Sequence, residues 1–256
     1  MRGYPRSKRP RIMNIRIDHT ILKAPQLQTI DLSYRRGENV YEKGAPAQFV
    51  HQVIEGALFR FKMSPGNGGR RSIIQFLFPG DAFGYEPSRR HCDTVEALTD
   101  AKVRSVGREA LLEAATISPR VSKALSSAAF WAARAAEDQS IALRGRNATE
   151  QLALFFLEMD ARLSKMGEID LPMRRQHIAD YYGLTIETVS RTINRFRRAK
   201  MIEFRDNVRL QRRVVIRDRG QLSRLAPDAP EFAWWKTRQL VHALKRASLP
   251  GNFLTD

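Results

Sequence analysis

Glu187, Ser190, Arg191 and Asn194 are spaced three, one and three residues apart within RQHIADYYGLTIETVSRTIN, residues 175–194. On a helix that spacing gathers them on one face, with Ile186, Val189, Ile193 and Phe196 on the other. An arginine fork bonds bidentately to guanine O6 and N7, a glutamate accepts from cytosine N4, and a serine hydroxyl adapts to either role. Residue types of this kind near the start of a helix suit the edges of bases in a DNA major groove. The same polar face would also serve as the solvated side of an ordinary helical hairpin.

The elements that must position these groups are written into the same stretch. Ala179, Gly183 and Val189 have the spacing of a helix-turn-helix: a small residue lets two helices cross closely, and glycine supplies the positive φ of the tight turn. Thr185 stands just before the second helix, where its hydroxyl can cap free N–H groups. Arg195, Arg197, Arg198 and Lys200 follow the polar face at once, a cation cluster suited to phosphates. Arg175, Gln176, Thr185, Thr188 and Asn194 complete the candidate set in supporting positions around Glu187, Ser190 and Arg191.

The segment LPMRRQHIADYYGLTIETVSRTINRFRRAKMIEF resembles the DNA-binding domain of the Crp/Fnr family, and most of all its Fnr and FixK branches. The string ETVSR, Glu187 to Arg191, is similar to that family's recognition signature. The resemblance implies that Glu187, Ser190 and Arg191 read a TTGAT-like half-site. It extends, more weakly, from about residue 25 to residue 226.

Composition agrees with a nucleic-acid partner without selecting it. The chain has 256 residues, enough for two small domains, and 43% hydrophobic content, ordinary for a globular protein. A formal net charge of +17 attracts polyanions, with nucleic acid the first candidate and an anionic membrane surface the second. Among the longest apolar runs is Ile73 to Phe78, far short of the roughly 18 residues of a membrane span. The basic N-terminus lacks the apolar core of a secretory signal, so a cytoplasmic location is expected.

Glycines at 37, 44, 56, 66, 68, 69, 80 and 84 punctuate short strand-like stretches such as FVHQVI, ALFRFKM, SIIQFLF and DTVEAL. That rhythm predicts a sandwich or barrel. In ALFRFKM, Leu58, Arg60 and Lys62 alternate with Phe59, Phe61 and Met63, which predicts one half-solvated face. FPGDAFG resembles the turn entering the family's cyclic-nucleotide pocket, making Gly84, Tyr85, Arg89, Arg90 and His91 a candidate effector site. Cyclic-AMP-binding members place a glutamate after the second glycine and an arginine for the cyclic phosphate. Here those positions hold Tyr85 and His91, so no cyclic nucleotide is expected, and Arg89, Arg90 and His91 read more simply as a solvated loop. A single cysteine, Cys92, excludes an iron–sulfur cluster held by one chain. Lone cysteines are usually small buried apolar groups. His19, His51, His91, His177 and His242 are scattered and carry no haem-attachment motif. No HxH or similar cluster appears between residues 25 and 105, which argues against a metal-dependent enzyme of the cupin sort. No cofactor and no catalysis are expected.

Residues 108–143 read as helical, with Pro119 acceptable in a first turn. Val121, Leu125, Ala128, Ala132, Ala135, Gln139 and Ala142 form a stripe that fits the seam of two close helices, or a helix packed on its own chain. The resemblance implies the first, a two-fold homodimer. The expected layout is α+β: a basic arm at 1–24; an antiparallel β-roll at 25–107, jelly-roll in type and cyclic-nucleotide-binding-like; and a dimerisation helix region at 108–144. A winged helix-turn-helix at 145–226 and an extension at 227–256 complete it. Two short strands around an Asp206–Asn207 turn make the wing, where Arg205, Arg209, Arg212 and Arg213 face phosphates or solvent. The expected function is sequence-specific regulation of transcription on a palindromic duplex, as an activator by resemblance to the FixK branch, with RNA polymerase as a partner implied by the same resemblance and no membrane. An effector-dependent regulator with an unidentified small ligand and a nonspecific DNA-binding protein are the alternatives.

Overall fold

The computed structural model describes residues 27–63, 69–86, 88–119, 121–123, 125–126, 146–206 and 212–227. Among the described residues eight strands build the first half: β1 (Thr29–Tyr34), β2 (Asn39–Tyr41), β3 (Phe49–Glu55), β4 (Leu58–Met63), β5 (Arg71–Leu77), β6 (Ala82–Phe83), β7 (Thr94–Ala97) and β8 (Ala101–Gly107). They form two four-stranded antiparallel sheets, ordered β1-β8-β3-β6 and β2-β7-β4-β5. The antiparallel β-roll that the family resemblance implies, built from the short strands that the glycine rhythm announced, is therefore present. Its interior holds Tyr41, Val53, Leu58, Leu77, Phe83, Val95 and Val103.

Helix α1 (Arg108–Ile117) follows β8 directly. It stops at Ser118, whose extended backbone (φ −113°, ψ 110°) is the conformation a following proline favours. Helical residues resume at 119, 121–123 and 125–126. Val121 and Leu125 pack inside their own chain, against Leu27, Val50, Ala82, Val106, Leu111 and Ala114. At these two positions the chain shows the second of the two packings that the stripe allows, a helix covered by its own roll and α1. Ala128, Ala132, Ala135, Gln139 and Ala142 lie outside the described residues.

The second half runs α2 (Ala148–Leu163), β9 (Ile169–Asp170), α3 (Arg175–Tyr182), α4 (Ile186–Arg198), β10 (Ile202–Phe204), β11 (Arg213–Ile216) and α5 (Arg219–Leu225). Asn147 starts α2 with a capping box: its side chain accepts from the Thr149 and Glu150 N–H groups, and Glu150 returns a bond to the Asn147 backbone. Strands β10 and β11 pair as the wing, and β9 adds a third strand beside β11.

Leu58 faces the roll interior, whereas Phe59 and Phe61 point the other way and are nonetheless buried. They join Ile73, Phe76, Phe78 and Leu98 in one apolar core with Leu152, Phe155, Phe156, Ile178 and Phe196 of the second half. The expected half-solvated face is thus covered where the strand begins, and only its end, at Lys62 and Met63, is exposed. Phe76 packs at a tilt against Tyr181 (5.2 Å between ring centres) and Phe59 likewise against His177 (5.5 Å). At the edge of this contact Arg162 of α2 pairs with Asp81 of the β5–β6 turn and with Glu158, and its guanidinium lies 4.3 Å from the Phe78 ring centre.

The roll also buries His51, whose Nδ1 is 2.8 Å from the Ser105 hydroxyl. Burial, with a smaller push from His91, brings the His51 imidazole from 6.5 down to about 4. The unfolded chain thus takes up this proton near pH 6.5, and the folded chain holds it off until about pH 4. Stability is full above that window and falls as pH drops through it, by about 3 kcal/mol for this group. Urea unfolding at a series of pH values is expected to show this decline, and His51→Gln to make it shallower by about one proton.

Candidate nucleic-acid interface

Helices α3 and α4 are held by the residues whose spacing announced them. Ala179 is fully buried, so the helices cross with no side chain between them. Gly183 ends α3 in the left-handed region (φ 68°, ψ 26°), and the N–H groups of Gly183 and Leu184 both reach the Ala179 carbonyl. Thr185 then caps α4, its hydroxyl accepting from the Thr188 N–H at 3.2 Å. Val189, Ile193 and Phe196 seal the inner face. Ile186, expected on that apolar face, is 40% exposed; Thr192 is buried in the inner face instead. The first turn of α4 turns Ile186 outward, beside the cap, before the helix settles onto the core.

On the outer face Glu187 and Arg191 are exposed, and Ser190 and Asn194 are half-buried. The Glu187 carboxyl is held below its ordinary range by its own backbone N–H, then by the Thr185 hydroxyl and the Arg191 charge. It is thus an acceptor at neutral pH, one turn from a bidentate donor. Arg175 of α3 donates from Nη1 to the Ser190 hydroxyl oxygen at 3.0 Å. Burial and the neighbouring Arg197 lower the Arg175 guanidinium from its usual range. Gln176 donates to Asp180 on its own helix at 2.7 Å, and Thr188 faces Thr185 at 3.1 Å. Arg197, Arg198 and Lys200 are exposed at the far end of α4. The arrangement is a rigid ledge: acceptor, hydroxyl and guanidinium in the centre, cations around it.

Beyond the expected residues, a groove of about 810 Å³ runs between α4 and the start of α2. Thr188, Arg191 and Arg195 form one wall, and Asn147, Thr149 and Arg224 contribute to the other. Arg195 donates to the Thr149 hydroxyl at 3.1 Å across it. The Asn147-to-Glu150 spacing signals a helix start, but nothing local to it says that the start faces α4. In the wing, Arg212 donates to the Leu171 carbonyl at 3.0 Å, and Arg205 lies 3.9 Å from Glu168. Arg213 is exposed, and Arg209 lies outside the described residues.

Of the residues read as a solvated loop, the two arginines are exposed as expected and His91 is not. Arg89 and Arg90 are exposed, and Arg90 donates to the Gly44 carbonyl at 2.7 Å. His91 is 4% exposed and lies flat on Tyr41, with ring centres 3.5 Å apart and planes within 5°. Its Nδ1 is 3.8 Å from the buried Glu86 carboxylate, and beneath them Arg60 pairs with Asp93 at 2.6 Å. The loop is drawn in because His91 bonds through its backbone to Ala45 and Gly44, while its ring replaces water with Tyr41. Gly84 sits against His51, where an added Cβ would meet the His51 Cδ2 at 2.9 Å; Tyr85 is 44% exposed. Cys92, expected buried, is exposed, and the Glu86 carboxylate beside it pushes its thiol up, away from the reactive thiolate. Among the described residues, no group of three or more His, Cys, Asp and Glu side chains is placed to hold a metal ion, and no helix is long and apolar enough to cross a membrane.

Known proteins share both halves. Residues 31–117 match the cyclic nucleotide-binding domain and residues 150–225 the Crp-like helix-turn-helix domain. The nitrogen fixation regulation protein FixK of Azorhizobium caulinodans is 33% identical over 197 residues, covering 75% of this chain and 77% of that protein. The transcriptional activatory protein AadR of Rhodopseudomonas palustris is 34% identical, covering 66% of this chain and 72% of that one. The solved structure of FixK2 from Bradyrhizobium japonicum superposes with a TM-score of 0.73 at 38% identity, covering 78% of this chain and 98% of that chain.

At Gly183 a Cβ would meet open space, so Gly183→Ala costs only the strain of its positive φ. It is expected to lower stability by about 1 kcal/mol, and Thr185→Ala, which removes the cap, by a similar amount. Equilibrium denaturant melts of the two variants check both.

Proposed function

The chain belongs to the Crp/Fnr family of transcription regulators, on its FixK-like side, and on that premise we propose that it is a sequence-specific activator that binds a TTGAT-like palindrome as a homodimer. The observation that carries this reading is the outer face of α4. Glu187 and Arg191 are exposed and Ser190 half-exposed, on a capped helix whose inner face is locked into the core. In this reading Arg191, Glu187 and Ser190 contact base edges. Arg175, Gln176, Thr185, Thr188, Asn194, Arg195, Arg197, Arg198 and Lys200 support them or hold the phosphate backbone.

A single recognition helix discriminates little, and two related by a dyad read a palindrome. The pairing surface in this proposal is the stripe Val121, Leu125, Ala128, Ala132, Ala135, Gln139 and Ala142, whose first two members also pack within the chain. Activation, in this proposal, works through surface contact with RNA polymerase in the cytoplasm, as membership of the family implies; the name of AadR, a transcriptional activatory protein, supports the activator reading alone. No reaction is catalysed. In this proposal the protein works without a cyclic nucleotide; what supports this is that Tyr85 and His91 stand where the family's cyclic-AMP binders carry a glutamate and an arginine, and that His91 is buried against Tyr41.

Selection of duplexes from a random pool is expected to return a two-fold symmetric site with a TTGAT-like half. Recovery of no sequence preference supports the nonspecific alternative and defeats this reading. On the selected site Arg191→Ala is expected to cost about 1–3 kcal/mol and to relax discrimination at one base pair. Equal weakening on random DNA refutes its base-reading role. Millimolar cyclic AMP is expected to change neither the melting temperature nor the affinity for the selected duplex.

A further inference from the structure

The bond from Arg175 to Ser190 joins the two helices of the motif across fifteen positions of sequence, at the centre of the outer face. A guanidinium carries only donors, so at this contact the Ser190 oxygen must accept. A serine hydroxyl has one hydrogen and two lone pairs, and alone it reads donors and acceptors alike. With one lone pair occupied by a full positive charge 3.0 Å away, an N–H approaching the same oxygen meets electrostatic repulsion. The hydrogen remains, pointing away from the guanidinium. Among the described residues the Ser190 hydroxyl has no other hydrogen-bond partner, so that hydrogen is available to whatever faces α4.

We propose that Arg175 is a positioning residue that sets Ser190 as a donor, and so selects bases presenting an acceptor in the major groove over cytosine, which presents its N4 donor. The favoured partners are guanine N7 and O6, adenine N7 and thymine O4. This inference rests on the base-reading assignment of Ser190 above and adds to it the direction of the hydrogen bond. It also separates Arg175 from Arg197, Arg198 and Lys200, whose cations carry no sequence information if they meet phosphates.

The test uses the full-length protein and the selected duplex, with all four base pairs placed in turn at each position of one half-site. Ser190→Ala locates the position that Ser190 reads, as the one where the spread of affinities narrows. At that position Arg175→Ala and Arg175→Met are expected to narrow the spread by about fivefold or more, chiefly by improving cytosine relative to the other bases. Adding Ser190→Ala to either is expected to narrow it little further, because both changes remove one device. Arg175→Lys, which keeps a cationic donor, is expected to restore part of the spread. Far-UV circular dichroism and melting of each variant show that it is folded; Arg175→Met keeps the side-chain bulk where Arg175→Ala does not.

Equal weakening of all four duplexes by both Arg175 variants, with the salt dependence reduced by about one phosphate contact, overturns the proposal and leaves Arg175 as a backbone clamp. An additive double variant overturns it as well. If Ser190→Ala narrows the spread nowhere, Ser190 reads no base, and the failure then lies in the underlying assignment rather than in the link from Arg175.

Discussion

One guanidinium governs how the two halves of this molecule meet. Arg162, near the end of α2, lies between the carboxylates of Asp81 and Glu158 and beside the ring of Phe78. Asp81 in turn accepts from the Phe78 N–H at 2.9 Å, so the turn that presents the carboxylate is fixed by the same carboxylate. All three charged side chains are largely out of water. Burial raises the Glu158 carboxyl above its ordinary range; the Arg162 charge and hydrogen bond oppose that rise, and the nearby Asp81 charge adds to it. A buried pair of this kind adds little net stability when intact, yet losing one partner strands the other and costs about 3–5 kcal/mol. Its role here is geometric: it permits few relative placements of roll and helix.

The aromatic surface around that charge completes the constraint. Phe59, Phe61 and Phe76 leave the roll and enter the core of the second half, meeting Tyr181 and His177 of α3. Arg70, just before β5, donates to the Leu184 carbonyl in the helix-turn-helix turn at 2.9 Å. The outer face of α4 is therefore aimed by the sheet as well as by its own domain. Within the motif the same economy holds: Thr185 caps the helix and also steadies the Glu187 carboxylate.

Much of this was legible in the sequence, where local rules decide the outcome. Ala179, Gly183, Thr185 and Val189 each answer a local demand, for close approach, positive φ, a cap and an inner face, and each stands where its spacing put it. The glycine-punctuated strands were readable for the same reason. What could not be read was the identity of whatever covers a face. Alternation in ALFRFKM separates Leu58 from Phe59 but does not say that a second domain covers the phenylalanines. The stripe from Val121 allowed two partners, and its first two members pack on their own chain. His91 and Cys92 reversed their expected exposures, because a strand-like pairing with Ala45 and a stack on Tyr41 depend on residues nearly fifty positions away.

The shared core also bears on modularity. The helix-turn-helix rests on side chains from β4 and β5 and on a carboxylate from the turn after β5, so its boundary in sequence is not its boundary in space. A graft of residues 148–225 onto the roll of a distant relative would leave Phe155, Tyr181 and Arg162 facing unfamiliar neighbours. Swapping DNA preferences between such proteins is therefore better done by rewriting the few outward residues of α4 than by exchanging whole halves, for the transferable unit is the ledge and not the domain beneath it.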